Sequence, residues 1–291
     1  MINREISCAA INDLSGLGKC SLTVALPVLS ACGVETSVLP TAVLSTHTAF
    51  PGYIYRDLTP ELLPSAEHWV RLAQEFSGRE RGWFSSVYSG FLSVPEQVEM
   101  VEKIVDLLGD QEAMLFVDPV MGDGGRLYAT ITPPMAGGMA RLCRRAKVIT
   151  PNLTEAAQLL GRPYRAGPIP FPQLEEMLEA LHSLGPEIVV LTGVELDGGV
   201  GAAWSAKGKA SAHVRAKVPG VYHGTGDLFA ASLLGGLLNH LDLKEACTVA
   251  VDFTHAAIEA TRRAGGDTRF GPKFERFLGP LSAAMETGHF F

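Results

Sequence analysis

The chain of 291 residues lacks most of what would mark it for a membrane, a nucleic acid or an oxidising compartment. No window reaches the ~20 consecutive apolar residues that a membrane-spanning helix needs. Lys and Arg number 24 against 31 Asp and Glu, giving a formal net charge of −7 and an isoelectric point near 5.6. That balance excludes nucleic acid or anionic membrane as a main partner, since both are bound through excess positive charge. The five cysteines (Cys8, Cys20, Cys32, Cys143, Cys247) are odd in number and scattered, without a CxxC pair or a His-rich neighbourhood. They read as free thiols of a reducing compartment, not as a disulfide framework or zinc site. Met1 to Ala10 carries Arg4 and Glu5 and no apolar run long enough for a signal peptide, so a cytoplasmic location is expected.

Familiar motifs are missing too. Asp13-Leu14-Ser15-Gly16-Leu17-Gly18-Lys19-Cys20-Ser21 looks like a phosphate loop, but a Walker A loop needs glycine in place of Asp13 and Ser or Thr in place of Cys20. A dinucleotide fingerprint needs glycine in place of Ser21 and an acid ending the second strand, and finds neither. The stretch remains a flexible rim over a small substrate, with Lys19 a solvated charge. No GxSxG elbow or zinc-ligand spacing employs His47, His223 or His255. Of the three, only His47 falls on the expected ligand rim.

What is present is an α/β pattern. Apolar residues make up 47% and charged residues 19%, enough for a substantial core. No repeat or low-complexity linker divides the chain, so one domain over residues 1–291 is expected; Gly161–Pro172, with four prolines, is a rigid surface loop at most. Strands are predicted at Ser7–Ile11, Glu35–Leu39, Ser85–Tyr88, Met114–Asp118, Lys147–Thr150 and Ile188–Thr192. Helices are predicted near Cys20–Cys32, Pro60–Phe76, Pro95–Leu108, Pro133–Arg144, Thr154–Leu160, Phe171–Leu184, Leu228–His240, Leu243–Arg263 and Phe274–Glu286. Several open on a first-turn proline, where the missing N–H costs nothing. Strand–helix alternation of this kind predicts a mostly parallel sheet covered on both faces. Gly198–Trp204 and Ala210–Lys217, joined through Lys207-Gly208-Lys209, predict an antiparallel hairpin.

Polar clusters follow the strands, where ligands of open parallel sheets bind. Asn12-Asp13 follows the first strand, Thr46-His47-Thr48 the second, Asp118 to Asp123 the fourth, Thr150-Pro151-Asn152 the fifth and Thr192-Gly193 the sixth. Tyr222-His223-Gly224-Thr225-Gly226-Asp227-Leu228-Phe229-Ala230 carries the most information. Its glycines leave the N–H groups of a helix first turn open to an anion, and the Asp227 carboxylate stands beside them as a base for an accepting hydroxyl. Asp227 as a helix N-cap is the competing reading. Asp118-Pro119-Val120-Met121-Gly122-Asp123-Gly124-Gly125 offers two carboxylates suited to a hydrated Mg²⁺, or else a plain Asp-Gly-Gly turn. Thr150-Pro151-Asn152-Leu153-Thr154-Glu155 fits a capping box as well as a metal and phosphate site, and the two are compatible.

Together these segments resemble the ribokinase superfamily and, within it, the vitamin B6 (pyridoxal/pyridoxamine) kinases. Gly224 to Ala230 is similar to the superfamily's C-terminal signature, Asp118 to Asp123 and Thr150 to Glu155 to two middle motifs, and Ser45-Thr46-His47-Thr48 to the Ser-Asn-His-Thr of pyridoxal kinases. The resemblance implies a ribokinase-like three-layer α/β/α fold with a mostly parallel central sheet and a small antiparallel edge hairpin. It implies phosphorylation of the 5′-hydroxymethyl group of a B6 vitamer by ATP, with Asp227 as base and Gly224, Thr225 and Gly226 as anion hole. Asp118, Asn152 and Glu155 would organise Mg²⁺ and the ATP phosphates, Asp118 and Glu155 serving the metal, with Asp123 and Thr192 on the nucleotide side. Asn12, Thr48 and Phe91 would line the ring pocket. A homodimer is implied, and a monovalent cation is left open. Asp13-Leu14-Ser15-Gly16 departs towards the Ser-Asp-Pro-Ser-Gly run of hydroxymethylpyrimidine kinases, and Phe91 replaces a family tyrosine. A hydroxymethylpyrimidine kinase, or a dual-substrate enzyme, is therefore the alternative; a non-catalytic nucleotide- or B6-binding protein is a third reading.

Overall fold

The computed structural model describes residues 6–77, 84–109, 113–206 and 208–291. Lys207, within the expected hairpin turn, lies outside them. In chain order the elements are β1 (Ser7–Leu17), α1 (Leu22–Ala31), β2 (Glu35–Thr46), β3 (Tyr55–Asp57), α2 (Thr59–Ser77), β4 (Ser86–Ser89), α3 (Pro95–Leu108), β5 (Met114–Val117), β6 (Gly122–Asp123), β7 (Arg126–Leu127), α4 (Pro133–Arg145), β8 (Val148–Ile149), α5 (Leu153–Leu160) and α6 (Phe171–His182). They continue with β9 (Ile188–Leu196), β10 (Gly199–Ser205), β11 (Ser211–Ala216), α7 (Thr225–Leu238), α8 (Leu243–Ala264) and α9 (Leu278–Thr287).

Nine strands form one sheet in the order β11-β10-β9-β8-β5-β4-β1-β2-β3. The six central strands are parallel and the hairpin β10–β11 pairs antiparallel on one edge, as the pattern of runs and turns led one to expect; β3, antiparallel to β2 on the other edge, was not expected. Successive side chains of a strand point to opposite faces. Accordingly Cys8 and Ala10 join a core with α1, α7, α8 and α9, whereas Ala9 and Ile11 join a second core with α2 to α6. Both faces of β1 are thus covered, which is why its first half reads as an unbroken apolar run.

Three differences matter for the site. First, β1 and β2 do not stop at Ile11 and Leu39. Past a slip in register between Asn12 and Leu14, they stay paired through Leu14↔Val43, Ser15↔Leu44 and Leu17↔Thr46. What reads as a flexible rim is a strand extension, backed by the unpredicted β3. Second, Asp123-Gly124-Gly125-Arg126 turns the small hairpin β6–β7, with Gly124 and Gly125 at φ 57° and 79°. Tyr164, from the proline-rich loop, packs where a Cβ at Gly125 would stand 2.5 Å away. Third, Phe274–Phe277 is not the first turn of α9, which begins at Leu278 after a 3₁₀ turn over Glu275–Phe277.

Helix α7 is apolar on all sides and buried, as a helix inside a core must be. It can approach α1 closely because Gly235 has no side chain: a Cβ there would lie 2.5 Å from Cys32 Sγ and 2.7 Å from Cys32 Cβ. On the far face Asp252 of α8 clamps β11, accepting from Arg215 Nε at 2.6 Å, Arg215 Nη2 at 2.5 Å and His213 Nε2 at 2.7 Å. This clamp fixes the strand that leads into the residues before Gly224. Alanine at 235 gains about 1 kcal/mol of helix propensity, but overpacking of this kind costs about 1–3 kcal/mol. Gly235→Ala is therefore expected to destabilise the protein, as a lower urea midpoint at unchanged slope.

Candidate active site

A cavity of about 720 Å³ opens at the carboxyl ends of the parallel strands. That volume lies within the usual range for small-molecule sites. Of the residues singled out from sequence, Asp118, Asp123, Asn152, Glu155, Thr192, Thr48, Phe91 and Gly224 to Asp227 all line it. Asn12 does not. It is fully buried behind the wall, where its Oδ1 accepts from Phe91 N at 2.8 Å and Asp13 N at 2.9 Å. Asn12 thus sets the backbone from which Phe91 reaches the cavity.

The first turn of α7 opens onto the cavity. Gly224 has φ 80°, and a Cβ there would strike the Lys19 carbonyl oxygen at 2.0 Å, so only glycine fits. Thr225 donates its hydroxyl to the Tyr222 carbonyl at 3.1 Å. Intrahelical bonding begins with Leu228 N to the Gly224 carbonyl at 3.2 Å, so the N–H groups of Thr225 and Gly226 are left as open donors of a helix start, while that of Asp227 serves its own carboxylate. Around Gly226 a Cβ would meet nothing within 4 Å; the space there is open. Asp227 is not an N-cap, the place taken by Gly224, and lies in the first turn.

Opposite stand Asp118 and Glu155. Asp118, just past β5, is 7% exposed and accepts from Thr150 Oγ1 at 3.2 Å. Glu155, 3% exposed, completes the capping box of α5: Oε2 accepts from Asn152 N at 2.8 Å while Asn152 Oδ1 accepts from Thr154 N and Glu155 N. Its Oε1 accepts from Met121 N at 3.0 Å, and Asn152 Nδ2 donates to the Gly122 carbonyl at 2.8 Å. Capping and cavity-lining are both realised by the same two residues.

Burial, and then a neighbouring carboxylate, raise the proton affinity of each of the three acids. Burial and the neighbouring Asp227 push Asp118 up, and burial and Asp118 push Glu155 well above the usual carboxylate range. Asp227 is raised to about 7, mainly by burial and secondarily by Asp13, while the Ser21 amide and the Asn12 side chain pull it back. Among the described residues, no Lys or Arg figures among the main influences on these three groups. Nor do three His, Cys, Asp or Glu side chains stand close enough to hold a metal alone. A concentration of oxygen donors without a counter-charge suits a cation that brings waters and phosphate oxygens of its own, as Mg²⁺ does.

Sequence reasoning put Asp13 on the ligand rim without giving it a role. Asp13, 4% exposed, lines the cavity and holds Ser15 Oγ at 2.9 Å and Ser21 Oγ at 2.5 Å. An Asp-x-Ser directly after a buried strand was the available signal. His223 stacks on His47, with ring centroids 5.3 Å apart. His47 Nε2–H donates to the Arg269 carbonyl at 2.6 Å and its Nδ1 accepts from Ala49 N, so it fastens the rim. Lys19 is not a solvated charge: its Nζ lies 2.5 Å from Glu275 Oε1 and 3.0 Å from the Pro272 carbonyl.

Residues 85–272 match the family model described as phosphomethylpyrimidine kinase. The chain belongs to that family. Its relatives include human pyridoxal kinase, 28% identical over 256 residues covering 80% of this chain and 78% of that protein. The pyridoxal kinase of Lactobacillus plantarum is 31% identical, with a TM-score of 0.85 over 98% of this chain and 99% of its own. A Bacteroides thetaiotaomicron chain, provisionally assigned as a phosphomethylpyrimidine kinase and crystallised with pyridoxal, is 35% identical with a TM-score of 0.84 over 95% of both chains. The ribokinase-like three-layer fold expected from the motifs is the fold observed.

Glycines 224 and 226 separate packing from ligand binding. Gly226→Ala meets open space at an ordinary φ, so stability is expected to hold or rise, while kinase turnover is expected to fall at least about tenfold because the methyl occupies the open space beside the first-turn N–H groups. Gly224→Ala is expected to lower stability as well, through the clash with Lys19. Thermal melts beside steady-state rates check both.

Proposed function

We propose that this chain is an ATP-dependent kinase of B6 vitamers, one catalytic domain over residues 1–291, phosphorylating the 5′-hydroxymethyl group of pyridoxal, pyridoxine or pyridoxamine. The observation that carries the reading is the pairing of the Asp227 carboxyl with the open first turn at Gly226, inside a cavity lined by Asp118 and Glu155. Asp227 takes the proton of the acceptor hydroxyl as its oxygen bonds to the γ-phosphorus and the bond from that phosphorus to the ADP oxygen breaks. Gly224, Thr225 and Gly226 hold the transferring group through the first-turn N–H groups, which also lie at the positive end of the helix dipole. Asp118 and Glu155, with Asn152, would hold Mg²⁺, which supplies charge neutralisation on the phosphates. Asp123 and Thr192 face the nucleotide, and Thr48 and Phe91, the latter set by Asn12, face the ring.

Hydroxymethylpyrimidine is the second acceptor to weigh. The run Asp13-Leu14-Ser15-Gly16, of which Asp13 and Ser15 line the cavity, favours it, and the matching family model is described by a related pyrimidine, phosphomethylpyrimidine. Comparing kcat/KM for pyridoxal and hydroxymethylpyrimidine on one preparation decides between them. Absence of ATP consumption with either supports a binding protein instead.

Asp227→Asn is expected to lower kcat by roughly 10²–10⁴-fold with ATP affinity little changed, and near-normal turnover refutes the base. A base raised to about 7 must lose its proton to work. The profile of kcat/KM is measured with Mg²⁺ present. It is expected to fall tenfold per unit on the acid side, with a midpoint at or below 7, since added positive charge favours the ionised form.

The extensions of β1 and β2, with β3, present Leu14, Leu17, Val43, Tyr53, Ile54 and Tyr55 to solvent, Ile54 at 74% exposure. This apolar surface supports a homodimer closed across the rim. Ile54→Asp is expected to shift the mass by light scattering from dimer to monomer.

A further inference from the structure

Ser21 breaks two local rules at once. It is the N-cap of α1, a position where serine normally bonds the helix's own N–H groups, yet its hydroxyl makes no capping bond. Its backbone sits at φ 53° and ψ −131°, a conformation usually left to glycine. The hydroxyl goes to Asp13 Oδ1 at 2.5 Å, and the other Asp13 oxygen accepts from Ser15 Oγ at 2.9 Å. All three residues are buried, and all three line the cavity. The backbone just before Ser21 packs against the start of α7, where a Cβ at Gly224 would meet the Lys19 carbonyl oxygen at 2.0 Å and Cys20 Cα at 3.5 Å, and the Ser21 amide is among the groups that favour the ionised Asp227 carboxyl. Strain of this sort persists only where the surroundings enforce it, and here the enforcing contact is the Asp13 carboxylate.

We propose that Asp13 is a positioning residue for the phosphoryl-transfer site: by holding the Ser21 hydroxyl it locks the strained Ser21 peptide unit, whose N–H in turn holds the Asp227 carboxylate towards the acceptor hydroxyl. This rests on Asp227 being the base. Asp13 works through orientation, so an oxygen acceptor at that position suffices once the pH is high enough that Asp227 is ionised with or without the Asp13 charge.

The test uses the full chain with Mg²⁺, ATP and whichever of pyridoxal and hydroxymethylpyrimidine is turned over. Asp13→Ala and Ser21→Ala are each expected to lower kcat about tenfold with the KM for ATP changed less than about twofold. The double variant is expected to be no worse than the weaker single one, since both cut one linkage. Asp13→Asn, which keeps an acceptor for the Ser21 hydroxyl, should stay within about threefold of the parent. Ser21→Gly carries the sharpest contrast: it relieves the strain and should melt at or above the parent temperature, yet lose as much kcat as Ser21→Ala. A purely structural role would let activity follow stability. Normal kcat in Ser21→Gly, additive losses in the double variant, or Asp13→Asn as impaired as Asp13→Ala overturns the proposal while Asp227→Asn remains inactive. Near-normal turnover in Asp227→Asn removes the base itself, and the proposal with it.

Discussion

The arrangement depends on one close approach, between the start of α7 and the turn that joins β1 to α1. A single methyl at position 224 would stand 2.0 Å from the Lys19 carbonyl oxygen, so the two backbones are in contact. That contact brings the first turn of a helix far along the chain against the end of the first strand. Asp227 thereby comes within reach of Ser21 and Asn12 on one side and Asp118 on the other. The same turn is held from outside. Glycine at 271 admits the Lys19 side chain, glycine at 18 admits the His47 ring, and Lys19 is anchored to Glu275 and the Pro272 carbonyl. A cation over the Phe274 ring, 5.3 Å from its centroid, adds a contact on the same side. The cavity's roof is therefore a packed structure whose parts come from residues 13–21, 44–50 and 267–275.

Much of this was legible because parallel sheets place their chemistry at strand ends. Asp118, Thr150 and Thr192 could be located once the apolar runs before them were read as strands, and the Gly-Thr-Gly-Asp turn announced its own helix. What was hidden is non-local or locally improbable. Pro40 and the Asp-Leu-Ser-Gly run argue against strand, yet β1 and β2 continue because each pairs with the other beyond the sheet. Lys19 looks solvated until Glu275 is folded next to it. Ser21 carries no sign in the sequence of a backbone suited to glycine. The family resemblance implies Asn12 as a ring contact, but it is fully buried within β1, and its influence on the pocket passes through Phe91.

The acids of the site set function against stability. Asp227 has a folded-state pKa near 7, above the ordinary carboxylate value, and burial is the chief cause. Over that window the folded form keeps a proton that the unfolded chain has released. Stability from this group is therefore greatest below about pH 4, declines as the pH rises towards 7, and stays lower above it. Asp118 and Glu155 act in the same direction. In the proposed function these carboxylates act ionised, the state that burial disfavours. A divalent cation with phosphate ligands would reverse the sign of the local field, so that binding and ionisation would favour one another. The capping-box bonds to Asn152 and Met121 keep Glu155 in place meanwhile, so the site stays assembled without the ligand that neutralises it.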